Sequence, residues 1–477
     1  MLEGELDMRC PRWQNPQKLL WIGMGLLFLV PNLPMNRVRI AIAAITKRPE
    51  FARSVIDPDA GIIPPVSADQ IVKFIVEPIK AISFLVAVVY LAMPAYVAVR
   101  QLYDQLGTGF IKRCALISVF IFVCVSLLIF PYAPPWGPQS MGLSYGLISY
   151  DPFMMEAGIY YRRLLKPAIA HYLLMDGPVF YWVFSIACLF VLIFLIVFAI
   201  EAHRLKIRRF AFLPLIDNAP NPTSMVAALL CLSFATSSCV MYDALYPGYP
   251  DDLLFIIILL LFILQLGERG SLGLIALAMV THDAAPFLVG PFIIMSPNSW
   301  KIKLKQIGAI MLFLFFSLAS NGFSLHHTLA NRASDQQGRS TLMLVVNNLG
   351  SPLLGCAISF KLLWLFVPAA AFYAIKSKAW DVLGGILIFC LVPLSTIVIA
   401  LDTSRLAGFA FVGILASVIY VLSRTYNPLI KATFVGILAL NLLIPSGYHG
   451  INQGGVYFGR GIYSFLANTL ARKVLRI

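Results

Sequence analysis

Long apolar runs separated by short polar stretches dominate this chain and predict its secondary structure. A helix that crosses a bilayer needs about 20 predominantly apolar residues. Two shorter runs, 271–281 and 284–297, flank the polar step Thr281-His282-Asp283 and predict two short spans or one broken helix. The longer predicted segments are 19–33, 79–98, 114–132, 178–200, 224–242, 252–267, 305–322, 358–375, 381–400, 406–423 and 430–446. Together they predict an all-α, polytopic membrane helix bundle of roughly 11 to 13 spans.

Composition sharpens this picture by excluding other classes of protein. The 477 residues are 60% hydrophobic and 12% charged, whereas soluble domains are about 45–50% apolar and about 25% charged. This balance excludes a soluble domain, a disordered chain and a nucleic-acid-binding domain. The eight cysteines contain no C-x-x-C pair, so we read them as packing residues and predict neither a metal site nor a cofactor.

The distribution of basic residues predicts which loops lie on which side of the membrane. Short cytoplasmic loops carry an excess of Lys and Arg, and this rule places loop 201–223 and the basic positions 301–305 and 376–378 in the cytoplasm. The alternating path then puts 133–177, 243–251, 282–283, 323–357 and 402–405 on the outer face. We divide the chain into N-terminal membrane segments with an outer loop (1–110), a transmembrane module (111–446) and an amphipathic C-terminal tail (447–477).

The outer loop 133–177 contains the first set of candidate residues. Asp151-Pro152 is typical of a helix start, and the apolar positions that follow recur at spacings of three and four, which predicts an amphipathic helix lying along the membrane surface. We expect Glu156, Arg162 and Arg163 on its polar side and its end at Lys166-Pro167. Asp151 can act as a general base, and the basic residues can hold a phosphate. The alternative is structural: Asp151 only caps the helix, and the basic residues only anchor it to headgroups.

Other outer positions add ionisable residues on the same side. Asp243 ends one predicted span, and a His282-Asp283 pair can orient a hydroxyl or assist proton transfer. Asp402 and Arg405 are spaced to share a helix face and pair. A simple loop turn explains His282-Asp283 equally, and an ordinary helix-end ion pair explains Asp402 and Arg405. Ionisable residues kept near membrane depth are nevertheless functional candidates by default.

The order of these elements resembles the GT-C superfamily of integral-membrane glycosyltransferases. In that family an acidic residue of the first long outer loop precedes a juxtamembrane helix. Here Ser149-Tyr150-Asp151, followed by Tyr160 to Pro167, looks like that arrangement. The segment 281–287 and Asp402-Thr403-Ser404-Arg405 are similar to later polar elements. Asp151 is not part of an Asp-x-Asp or Asp-Asp pair, and about 110 residues precede the usual module.

The resemblance implies an inverting glycosyl transfer at the outer face of a bacterial inner membrane. The donor would be a polyprenyl-phosphate-linked sugar, and the acceptor a glycan, a lipid or a protein. Asp151, or Glu156 as the nearest second carboxylate, would be the catalytic residue. The substrate-binding residues would be Arg162, Arg163, Lys166, His282, Asp283, Asp402 and Arg405, with no metal.

Two other functions remain open from the sequence. An O-antigen-type polymerase or ligase also has a large outer loop with essential arginines, for which Arg332 and Arg339 are the candidates. A transporter or flippase would use a broken helix around His282-Asp283 instead. No two matching halves are visible in the sequence, which weakens the transporter.

Overall fold

A computed structural model gives the architecture of the chain. The structure describes residues 21–28, 77–129, 146–153, 163–204, 224–245, 248, 252–263, 267–320, 350–399, 403–425 and 427–444. Over these residues the chain is helical and contains no strand. Because a bilayer offers no hydrogen-bond partner to the backbone, a membrane protein without a closed barrel must pair its backbone groups within helices. The prediction of a helical membrane protein is confirmed at this level.

The helices follow the predicted apolar runs in order. Within the described residues, four stretches are long and apolar enough to cross a membrane: Leu106–Leu127, Gly177–Glu201, Trp300–Ala319 and Pro352–Lys376. The count of 11 to 13 spans stays a prediction. The helices are α1 (Glu77–Ile129), α2 (Leu165–Tyr172), α3 (Gly177–Arg204), α4 (Ser224–Ala235), α5 (Ser238–Leu245), α6 (Asp252–Ile263), α7 (Gly267–Met279), α8 (Ala285–Leu288), α9 (Gly290–Met295), α10 (Trp300–Ser320), α11 (Gly350–Phe360), α12 (Phe366–Lys376), α13 (Trp380–Ser395), α14 (Thr403–Gly408), α15 (Phe411–Arg424) and α16 (Pro428–Leu443).

Several predicted segments are interrupted rather than continuous. The run 224–242 divides into α4 and α5 at Thr236 and Ser237, where the Thr236 hydroxyl donates to the carbonyl of Ser233 at 3.2 Å. The run 406–423 divides between α14 and α15, and short 3₁₀ turns span Lys361–Leu365 and Thr396–Ile399. In α1, two helices meet at Gly107, whose φ of 76° is accessible to glycine without strain. The predicted division at residue 110 lies inside this helix.

The core is one apolar cluster to which most of the helices contribute, α7 among them. Helix α7 packs against α1, α6 and α10. A Cβ at Gly273 would overlap the backbone carbonyl oxygen of Leu91 in α1, so only glycine permits this approach of the two helices. Residues 21–28, which are helical, join the core through Phe28, whose ring lies 5.2 Å from that of Phe313. The described part of 1–110 therefore packs on the same core as the rest of the bundle.

Candidate functional site

The segment that carries Asp151 is fixed by its hydrogen bonds to α3. Residues Leu147–Ser149 form a 3₁₀ turn. The Ser149 hydroxyl donates to the carbonyl of Gly146 and accepts the backbone N–H of Gly177 at 2.9 Å. Gly177 has a φ of 80°, and a Cβ there would overlap the Tyr150 hydroxyl, so the position requires glycine. The backbone on which Asp151 sits is thus held against the first turn of a spanning helix.

Asp151 lies in a bend with its side chain partly exposed. It makes no hydrogen bond or ion pair with another described residue. Its neighbour Phe153 is buried and packs edge to face on Phe84 of α1 at 5.5 Å. The buried ammonium of Lys80 donates to the Phe153 carbonyl at 3.1 Å. A rigid turn therefore presents an accessible carboxylate.

Lys166 and Pro167 begin a helix, and the prediction that they end one is wrong. Helix α2 begins at Leu165 and places Pro167 in its first turn. The first backbone N–H groups of a helix have no partner inside it, so proline costs nothing there. Residues 154–162, which hold the rest of the predicted amphipathic helix, lie outside the described residues. Helix α2 ends at Tyr172, whose hydroxyl donates to the carbonyl of Ala81 at 2.9 Å, and burial raises the pKa of this hydroxyl.

The start of α2 is tied to the turn that follows α7. The Arg163 guanidinium contacts the Asp283 carboxylate, with 3.1 Å between Nε and Oδ2. The two side chains are 9% and 10% exposed. Two residues later, the backbone N–H of Leu165 donates to the carbonyl of Val280 at 3.3 Å. Two candidate regions that are 120 residues apart in sequence therefore meet.

Lys166 lies entirely inside the bundle. Its side chain is fully buried, and its ammonium lies 5.2 Å from the centroid of the Tyr181 ring in α3. This contact is within the range of a cation–π interaction. Because Lys166 is buried, the purely structural interpretation, in which it reaches out to lipid headgroups, does not describe this residue.

His282 is positioned by a turn and by two aromatic rings. Its Nδ1 accepts the backbone N–H of Ala284 at 2.9 Å, which in the neutral ring leaves the proton on Nε2. The ring stacks on Phe255 at 4.8 Å and meets Phe409 edge to face at 5.3 Å. Asp283 turns to Arg163, so the neighbouring histidine and aspartate face different partners.

Arg405 lies in α14, four residues before Phe409, whose ring contacts His282. It is buried in α14, with its guanidinium carbon 5.5 Å from the centroid of the Tyr242 ring in α5. Helices α5 and α14 are in close contact, because the Cys239 thiol lies 3.7 Å from the carbonyl of Gly408. A Cβ at Gly408 would lie 2.6 Å from that of Cys239. The buried carboxylate of Asp243 follows Tyr242 directly.

The contacts assemble most of the described candidate residues at one end of the bundle. The elements that carry them are linked by contacts through α3, α5 and α6: Arg163, Lys166, His282, Asp283 and Arg405. Lys80 was not among the candidate residues predicted from the sequence, although a lysine at the start of an apolar run is a feature that could have marked it as one. Glu156, Arg162, Asp402, Arg332 and Arg339 lie outside the described residues.

Charge is the property that the assembled side chains share. We call Lys80, Arg163, Lys166 and Arg405 the cationic cluster; all four are buried. The described buried carboxylates at this end are Asp243 and Asp283. Among the described buried side chains at this end, these four cations therefore outnumber the two carboxylates, which favours an anionic ligand. Within the same described residues, no group of three or more His, Cys, Asp or Glu side chains is placed to hold a metal.

Comparisons with known proteins add no family to this picture. The chain matches no family model, no curated protein and no solved structure. The chemistry of the site is therefore argued from its own residues.

Proposed function

We propose that this protein is a membrane glycosyltransferase that uses a polyprenyl-phosphate-linked sugar as donor. The observation that carries the proposal is the set of buried cations, one of which, Lys80, donates to the turn that carries the partly exposed carboxylate of Asp151. Phosphate needs cations in a water-poor site, where charge-assisted hydrogen bonds are strong. The resemblance to the GT-C superfamily in the order of Asp151, α2 and the later polar elements supports the same class.

In this mechanism each group has one role. Asp151 accepts the proton of the acceptor hydroxyl, whose oxygen forms a bond to the anomeric carbon. The bond between that carbon and the phosphate oxygen breaks, and the lipid phosphate leaves with both electrons. Attack opposite the leaving group inverts the anomeric centre. Arg163, Lys166 and Arg405 stabilise the negative charge that grows on the phosphate.

The surroundings of α2 suit a substrate with a lipid tail. The turn between α2 and α3 exposes Leu173 and Leu174, and Phe180 is exposed in the first turn of α3. Exposed apolar side chains at the end of a spanning helix are compatible with lipid chains rather than with water. An isoprenoid chain can therefore lie beside the helix whose first turn carries Lys166. We place this end of the bundle on the outer face of a bacterial inner membrane.

The experiment compares two carboxylates that lie close together in the sequence. Wild type, Asp151→Asn and Asp176→Asn are purified into nanodiscs and offered radiolabelled polyprenyl-phosphate sugars with a cell-envelope extract as acceptor. Asp176 is the matched control, because it is also partly exposed and lies 3.6 Å from His171. General-base catalysis contributes about 10²–10⁴-fold, so we expect Asp151→Asn to lose at least about 100-fold in rate. Asp176→Asn should retain transfer.

The outcomes separate the reaction class from the base. Transfer by all three proteins keeps the class and moves the base to Glu156 or Asp283. No transfer by wild type from any donor contradicts the glycosyltransferase.

A specific observation also favours a second candidate, a lipid or solute transporter. The helices near the cationic cluster are interrupted: α4 and α5, α7 and α8, and α14 and α15 each form a broken pair. Transporters commonly bind substrates between such broken helices. Movement of a labelled lipid-linked sugar across proteoliposomes, without any transfer reaction, would favour this candidate over the enzyme.

A further inference from the structure

A second basic region lies at the other end of the bundle, where α10 begins. Trp300 is 74% exposed, and the ammonium of Lys303 lies 5.4 Å from the centroid of its ring. The same ammonium donates to the carbonyl of Ile294, at the end of α9, at 2.7 Å. The aromatic ring and the cation are thus held together at one place on the surface.

Helix α7 starts beside this point and is locked to α10. Lys305 forms an ion pair with Glu268, and the Gln306 amide donates to the Ser271 hydroxyl at 2.9 Å. Arg269, which follows Glu268 in α7, is exposed. Lys301, one turn before Lys305 in α10, is exposed as well. Neither Arg269 nor Lys301 forms an ion pair with a described residue. The starts of α7 and α10 are therefore held together by these contacts and expose basic side chains.

The charge at this place is strongly positive. Four basic residues, Arg269, Lys301, Lys303 and Lys305, stand against the single carboxylate of Glu268 in the first turns of α7 and α10. Both helices also point their N-terminal ends here, and the helix dipole adds partial positive charge. An anionic group is the ligand that this arrangement favours.

An apolar stripe leads away from the basic residues along α10. The members of the stripe recur at spacings of three and four and are all exposed: Leu304, Ile307, Met311 and Phe315. Trp300 continues the stripe to the helix start, and tryptophan is enriched where membrane meets water. A ligand with a negative head and an apolar chain matches both parts of the surface.

We propose that this region, comprising Arg269, Trp300, Lys301 and Lys303, is a binding site for an anionic phospholipid. The phosphate headgroup lies against Lys301 and Arg269, the Trp300 ring sits at the level of the glycerol backbone, and one acyl chain follows the stripe on α10. The site selects anionic over zwitterionic lipids by charge. This inference is independent of the proposed glycosyl transfer, because it involves the opposite end of the bundle.

The test uses Trp300 as a reporter of the lipid beside it. Wild type and Trp300→Phe are reconstituted into nanodiscs that contain a small fraction of brominated phosphatidylglycerol or brominated phosphatidylcholine. Bromine quenches tryptophan fluorescence only at close range, and the difference between the two proteins isolates the Trp300 signal. We expect the anionic brominated lipid to quench Trp300 at a several-fold lower mole fraction than the zwitterionic lipid.

A matched pair of variants tests the basic residues themselves. Arg269→Gln/Lys301→Gln removes one arginine and one lysine from the site. Lys112→Gln/Arg113→Gln removes the same two charges from exposed positions on α1. A basic residue near an anionic membrane contributes about fivefold in affinity, so the loss of two basic residues in the first variant should abolish the several-fold lipid preference. The second should leave it unchanged.

Two results would overturn the proposal. One is equal quenching of Trp300 by the two brominated lipids, and the other is an equal loss of preference in the two double variants. A variant that fails to fold is recognised by its elution profile and replaced by the corresponding single substitution.

Discussion

The Arg163–Asp283 ion pair allows a prediction of how strongly α2 is held to the turn after α7. The pair is nearly buried, with 3.1 Å between nitrogen and oxygen and exposures of 9% and 10%. Removing one partner of a buried pair leaves a charge in a medium that solvates it poorly and costs about 3–5 kcal/mol. We expect Arg163→Met and Asp283→Leu each to lower the free energy of unfolding by about 3 kcal/mol.

The double variant gives the decisive comparison. Replacing both members of a buried pair by apolar side chains of similar volume is often neutral. The loss in Arg163→Met/Asp283→Leu should therefore fall short of the sum of the two single losses, by at least about 2 kcal/mol. Reversible unfolding by SDS in mixed micelles measures all four proteins. Additive losses, within about 0.5 kcal/mol, would refute the reasoning, because two independent sites behave in that way.

Three further variants probe the packing around the site. Lys166→Met should keep the thermal stability, because it removes a buried charge. It should nevertheless raise the KM for a phosphate-bearing donor by about 10-fold or more. An unchanged KM would exclude Lys166 from phosphate binding. Gly273→Ala should lower the free energy of unfolding by about 1–3 kcal/mol through overpacking. Gly384→Ala, with open space around its Cβ, should be neutral or slightly stabilising. Equal effects of the two substitutions would contradict the close approach of α7 to α1. Gly408→Ala should displace α14 from Cys239 and lower activity more than stability, as seen by comparing transfer rates with melting temperatures.

Much of the fold was predictable because hydropathy reports directly on membrane helices. The run 178–200 became α3 and the run 381–400 became α13, each with ends within a few residues. The interruption of 224–242 was less accessible, because mean hydropathy does not show that Thr and Ser side chains can take over backbone hydrogen bonds. The number of spans stays a prediction.

The site was predictable in its residue types but not in its pairing. Charge patterns placed Arg163 and Asp283 on the same side of the membrane, but nothing local connects residues so far apart in the chain. The error at Lys166-Pro167 has a local cause, because proline is as typical of the first turn of a helix as of the residues after its end. The remaining segment, 154–162, lies outside the described residues, so the amphipathic helix there stays a prediction.

Helix α7 contacts its neighbours at its start, in its middle and just after its end, and these contacts limit how the site can move. Its first turn is bonded to α10 through Glu268, its middle meets the α1 backbone at Gly273, and the turn after its end holds Arg163 through Asp283. A shift of α7 along its own axis would break all three contacts together. These contacts therefore resist a displacement of the turn at 280–284 along the axis of α7. A movement that opens this end of the bundle would therefore have to come from the elements around the turn, such as α2, while α7 stays in place.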